Sequence, residues 1–259
     1  MSEAPSTHYK ERVAALDSVV RDCISVSRAC AGIQSPTGSH FFASVLFTSL
    51  CTRAISVAVL APFSPWSKKL IEHWDYASMA NLTRSLLEIR LAFFYLCTEP
   101  CSEDEWYCRW NVFNTHDCAS RLRLFSELPN APEDVAGFKE QLDELRARLR
   151  ENSFFSAIPG NQQKQFLNGD RAYLSPLEDI ATRAGVDLHT FRWPYKFLSG
   201  HVHGLPIAFY RMGQQERGRG VHSDTEEGYT SLCLSFVTSL LVRSRDEMNE
   251  KFKGVQASA

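Results

Sequence analysis

The chain lacks any excess of charge of one sign: 28 lysines and arginines face 30 aspartates and glutamates, a formal net charge of -2. That balance leaves no electrostatic footprint for nucleic acid, so RNA or DNA would need a local basic patch. The chain also lacks a recognisable catalytic, nucleotide or metal signature, and nothing in it implies a cofactor. Its eight cysteines include no Cys-x-x-Cys pair. Cys97, Cys101, Cys108, His116 and Cys118 cluster, but their spacings match no zinc pattern. Packed and surface thiols explain them better, with no metal, and reduced thiols point to a cytoplasmic setting. Met1 to Arg12 is polar and charged, unlike a secretory leader. Internal repeats and alternating strand pairs are missing as well.

What remains is helical punctuation and helical spacing. A composition 44% hydrophobic and 22% charged can bury a sizeable core, and 259 residues suit one helical domain over 1–259. Val13, Leu16, Val20 and Ile24 recur at helical spacing within Tyr9–Cys30, before Gly32 and Ser35-Pro36-Thr37-Gly38. Phe41–Leu60 is the most apolar stretch. Arg53 within it would cost about 2.5–3.5 kcal/mol at a bilayer centre, so a helix inside a bundle is expected and no membrane. Ser64-Pro65-Trp66 predicts a short helix to about Trp74, and Asp75 caps the next. Met79, Leu82, Leu86, Ile89, Phe93 and Leu96 then mark a helix covered on most sides.

Ser102-x-x-Glu105 is a capping box opening a helix towards Leu128. Pro129 and Pro132 mark a turn. Val135, Phe138, Leu142, Leu145 and Leu149 form a stripe on a charged helix. Ser153–Tyr173 reads as a loop with a short helix, and Ser175-Pro176-Leu177-Glu178 starts a helix that Gly185 stops. A polar loop is expected at about 211–228, where Arg211, Arg217 and Arg219 are candidates to touch an anion. A final helix spans about Thr225–Phe252. The expected fold is an all-α multi-helix bundle with a buried central helix pair.

One run concentrates chemistry: Phe191–Gly204, FRWPYKFLSGHVHG. Pro194 suits the first helical position, predicting a helix from Pro194 to about His203. Tyr195, Ser199 and His203 then share a face at successive i, i+4 steps, whereas His201 points elsewhere. On the covered helix a narrow polar stripe survives: Asn81, Arg84, Ser85, Glu88 and Tyr95. So apolar a helix has little reason to face water, and its Arg84 and Glu88 then need partners from another helix, such as the one carrying Ser199 and His203.

Arg-Ser-Leu-Leu-Glu at Arg84–Glu88, together with Tyr-x-x-x-Ser-x-x-x-His-Gly at Tyr195–Gly204, resembles a widespread bacterial family of helical proteins catalogued only as a domain of unknown function. The likeness covers about Asn81 to Tyr210. It implies that Arg84, Glu88, Ser199 and His203 form one site between helices. A looser likeness is to the HEPN helical bundles, many of them ribonucleases of toxin and defence systems. Those place an arginine a few residues before a histidine on one helix; here Arg192 is too far upstream, with Trp193-Pro194 between.

Two readings follow. In the first, the protein is a binding or regulatory module whose cluster holds a small ligand, with Tyr195 and Asn81 contributing, or stiffens the core. In the second, it is a metal-independent enzyme acting on RNA or another phosphodiester: His203 moves the proton and Arg84 stabilises developing charge. RNA, a protein and a second copy of the chain in a homodimer are the candidate partners.

Overall fold

The structure is a computed structural model describing residues 4–128, 135–203, 205–206 and 218–255, without the side chains of 189 and 190. Among the described residues there are ten α-helices and no strand, only an isolated bridge between Trp74 and Gly220. The all-α expectation holds. The chain divides into two compact units, 1–98 with 181–259, and 99–180.

The first unit contains α1 (Thr7–Cys30), α2 (Gly38–Leu60), α3 (Tyr76–Phe93), α9 (Leu188–Val202) and α10 (Asp224–Lys251). Side-chain caps start four of them: Ser6, Thr37, Asp75 and Ser223 each accept an orphan backbone N–H of the first turn. The central element is α3, which packs against α2, α9 and α10. It continues into a single π turn, Phe94–Thr98. Leu86, Leu87, Leu91 and Phe93 are completely buried. On α2, Phe47, Leu50, Ala54 and Val57 face inward.

In the second unit α4 (Glu103–Ser126) and α5 (Val135–Glu151) pack together. The short helices α6 (Ser153–Ser156) and α7 (Gly160–Leu167) close the core with Phe155 and Phe166. Ser102 caps α4 as expected, its Oγ accepting from the Glu105 N–H, while the Glu105 carboxylate accepts from Arg109 instead of closing the capping box. Arg109 lies between Glu99 and Glu105, at 2.7 and 2.6 Å. Cys108 and Cys118 pack in different hydrophobic clusters, and His116 Nδ1 lies 2.8 Å from the Gly169 carbonyl. The helix α8 (Leu177–Arg183) spans the boundary between units, and Gly185 beyond it has a left-handed φ of 73°.

Three expectations are corrected. The segment after Ser64 is not helical: Ser64 Oγ accepts from the Trp66 N–H two residues on, a local turn that competes with helix, and Trp74 N–H instead reaches the Gly220 carbonyl. Pro194 does not start a helix but lies inside α9. Phe191 is 1% exposed and packs on Tyr195, so tertiary burial extends the helix upstream of the proline despite the lost N–H. The polar loop expected to 228 ends where Ser223 caps α10; Arg211, Arg217, Gly204 and the Pro129–Pro132 turn lie outside the described residues.

A buried carboxylate joins the start of α10 to the start of α3. Glu226, with no exposure, accepts from Gly218 N–H at 2.7 Å and from Tyr76 N–H at 3.3 Å. Burial raises its pKa above the ordinary value, and the two N–H bonds pull only partly the other way. A carboxyl raised on folding favours the proton-bound state, so its contribution is full at low pH and lost as pH rises through the folded value. Glu226→Gln should therefore gain stability relative to wild type as pH rises above the ordinary glutamate range, measured by urea titrations from pH 4 to 7. A second test lies in the other unit. Gly169 has φ 70°, and a Cβ there would sit 2.4 Å from the Ala119 Cβ and 2.9 Å from the Thr115 carbonyl oxygen. Gly169→Ala should cost about 2–4 kcal/mol in denaturant unfolding.

Candidate functional site between α3 and α9

Of the predicted site residues, Arg84, Glu88, Tyr195 and Ser199 meet. Arg84, on the third turn of α3, is 9% exposed. Its Nε and Nη2 both donate to one oxygen of Glu88, at 3.1 and 2.7 Å. Nη1 donates to Ser199 Oγ and, at 3.4 Å, to the Tyr195 carbonyl. Ser199 Oγ donates in turn to that carbonyl at 2.6 Å, a bond one helical turn back along α9. The guanidinium carbon lies 3.5 Å from the Tyr195 ring centroid. Stacking of this kind contributes about 0.5–2 kcal/mol, more as water is excluded. The arginine is thus held on three edges and one face.

The chemistry of this arrangement follows from the donors already spent. A serine whose proton is directed at a backbone carbonyl has no base beside it, and nucleophilic use requires one. Glu88 is half exposed, its side chain 47% accessible, so one carboxylate oxygen can remain in water while the other holds Arg84. An arginine four residues before a glutamate is the weaker order on an isolated helix; here a second helix fixes the guanidinium through Ser199.

The remaining predicted residues stand apart from this cluster. His203 is exposed just past the end of α9, its backbone N–H bonded to the Ser199 carbonyl at 3.0 Å. No contact joins its ring to Arg84 or Glu88 among the described residues. Asn81 is exposed, about one turn before Arg84. The buried histidine of the pair is His201, 7% exposed, edge-on to both Tyr76 and Phe197. Of the polar stripe, Ser85 accepts from Arg53 Nε of α2 at 2.9 Å, and Tyr95 is 1% exposed.

Two features were missed. The first is a second buried arginine, Arg90, whose Nη2 donates to Glu247 on α10 while Thr98 Oγ1 donates to the other carboxylate oxygen at 2.6 Å. Glu247 is 157 residues from Arg90, so only the cation inside an apolar helix could have signalled it. The second is an aromatic shelf. Trp193, 53% exposed, stacks on Phe197 with planes 3° apart, and Phe197 stacks on Tyr229. The i, i+4 spacing of Trp193 and Phe197 was visible; Tyr229 comes from α10.

Among the described residues no three His, Cys, Asp or Glu side chains are placed to hold a metal ion. Burial pushes the Cys97 and Cys108 thiols up to about 12 and Cys233 to about 11, away from the reactive thiolate.

A helical bundle tied internally by arginines is the class of protein this geometry defines. The chain belongs to the Family of unknown function (DUF5677), whose family model matches residues 40–220. That span contains α2 from its third residue, all of α3 and α9, and with them both motifs that carried the resemblance. No curated protein and no solved structure matches the chain. The looser HEPN likeness finds no support in these comparisons.

The cluster makes a graded stability prediction. Ser199→Ala leaves a buried guanidinium N–H with only the long bond to Tyr195 and should cost about 1–3 kcal/mol. His203→Ala, at an exposed position, should stay within about 0.5 kcal/mol of wild type. Urea unfolding of both variants checks the order.

Proposed function

We propose that the protein is a helical binding module in which the Arg84 cluster fastens α9 to α3 and α9 presents the ligand surface. The commitment of the Arg84 guanidinium to Glu88, Ser199 and Tyr195 carries this reading. An arginine so engaged positions a helix rather than receiving a phosphoryl group. Tyr195 serves from beneath, its ring face covered by the cation, and Asn81 lies at the exposed rim.

The outward side of α9 supplies the recognition chemistry. Trp193 gives a flat apolar face held rigid by the rings behind it, Lys196 is exposed one turn from Arg192, and His203 follows at the helix end. A flat ring bearing a negative charge suits that combination, since stacking and a nearby cation act on the same molecule. The ribonuclease reading requires a free guanidinium beside a histidine, and no observation favours it.

Thermal-shift titration with nucleoside monophosphates, aryl carboxylates and inorganic phosphate tests the proposal. An aromatic anion should raise the Tm of wild type, and the shift should vanish in Trp193→Ala and shrink in Lys196→Ala. The reading fails if the shift survives Trp193→Ala. It also fails if the protein cleaves RNA in EDTA and loses that activity in His203→Ala at unchanged Tm.

A further inference from the structure

The outward face of α2 carries an uncharged seam. Phe41, Val45, Thr48, Thr52, Ile55 and Val59 succeed one another by steps of 4, 3, 4, 3 and 4 residues, the spacing of a coiled-coil seam. All are exposed except Ile55, which is partly so. The sole charged residue of the helix, Arg53, is turned away to Ser49 and Ser85. Thr52 and Ser56 spend their hydroxyl protons on the carbonyls one turn back, at 3.0 and 3.2 Å. The seam therefore offers methyl groups and rings, with the Thr52 hydroxyl hydrogen already satisfied.

A knob and a hole adjoin its C-terminal end. Leu70 is fully exposed, at 105% of its reference area, and Ile71 is 78% exposed. Beside them Ile55, Val59, Leu60, Leu82 and the stem of Lys69 line a largely apolar cavity of about 490 Å³. The Lys69 ammonium is itself drawn inward, donating to the Leu60 and Ala61 carbonyls at 2.9 and 2.6 Å. A protruding apolar pair next to an apolar cavity on the same chain is self-complementary. Two copies related by a two-fold axis satisfy both features at once.

We infer that α2 is the interface of a homodimer: two copies pair in parallel along the seam, and Leu70–Ile71 of each enters the cavity of the other. Parallel pairing is required because the knob and the cavity lie at the same end of α2. Exposed Phe41, Val45, Val59, Leu70 and Ile71 supply on the order of 500 Å² of apolar surface, most of the roughly 800 Å² that each side of a stable interface contributes. The threonines and the cavity walls add to it. A face without charge also meets its own copy without like-charge repulsion. Lipid is the competing occupant, since α2 is long and apolar enough to cross a membrane. However, the neighbouring α1, whose Ser27 touches Thr48, exposes Arg21, Asp22 and Arg28, charges that a helix lying in lipid beside α2 would have to carry with it.

Sedimentation equilibrium of the full-length protein, run with circular dichroism, decides the matter. Wild type should be a dimer at micromolar concentration. Thr48→Glu and, separately, Leu70→Asp should each raise the dissociation constant roughly 100-fold or more, because a charge would face its own copy or enter the apolar cavity. Both positions are exposed, so helicity should be unchanged. A Val59→Cys variant should form a disulfide-linked dimer under mild oxidation only if the helices run parallel. A wild-type monomer at 100 µM, a dimer indifferent to both charges, or flotation of wild type with phosphatidylcholine–phosphatidylglycerol vesicles would each overturn the inference.

Discussion

Burying α3 on nearly every side imposes the constraint from which the first unit's arrangement follows. A helix in that position cannot leave a cation unpaired, since the penalty for an isolated buried charge far exceeds what packing returns. Three polar groups on α3 are accordingly answered by three different neighbours. Arg84 is tied to α9 through Ser199 and Tyr195, Arg90 to α10 through Glu247, and Ser85 to α2 through Arg53. Buried ion pairs add little net stability compared with apolar replacements of the same shape. Their effect here is geometric: they fix which turn of each neighbour faces α3.

The π turn that follows α3 belongs to the same logic. It carries Thr98 to the second oxygen of Glu247, so the carboxylate is satisfied from both the arginine and the hydroxyl. At the other end of α3, the buried Glu226 accepts the first N–H of the helix, while Ser223 caps its own. The helix that bears Arg84 is thus held at its start, its middle and its continuation. A side chain presented from α9 inherits that rigidity through the Arg84 contact and through His201 and Phe197, which pack on Tyr76 and Tyr229.

Legibility followed the range of the forces involved. Capping is local, so Asp75, Ser102 and the first turn of each could be read directly from residue order. The meeting of Arg84 with Ser199 was also legible, because an Arg/Glu pair in an apolar helix demands a partner and the Tyr195–Ser199 face offered one. Pro194 misled for the opposite reason. Its local preference for a helix start yielded to the burial of Phe191, a contact no neighbouring residue reveals. The two histidines divided unexpectedly: His201 packs among Tyr76 and Phe197, whereas His203 reaches solvent. A rotation of α9 by two residues separates these fates, and only packing sets it.

Residue order alone determined the all-α class, most helix boundaries and the identity of the polar residues on α3, because 3.6-residue periodicity and capping act within a few positions. Tertiary structure decided the rest. It chose Glu247 as the partner of Arg90 and Tyr229 as the backing of the aromatic shelf, and it left the α2 seam exposed. Those outcomes depend on surfaces brought together across long stretches of chain, where the free energy resides in desolvation and shape, and neither is a property of any one segment.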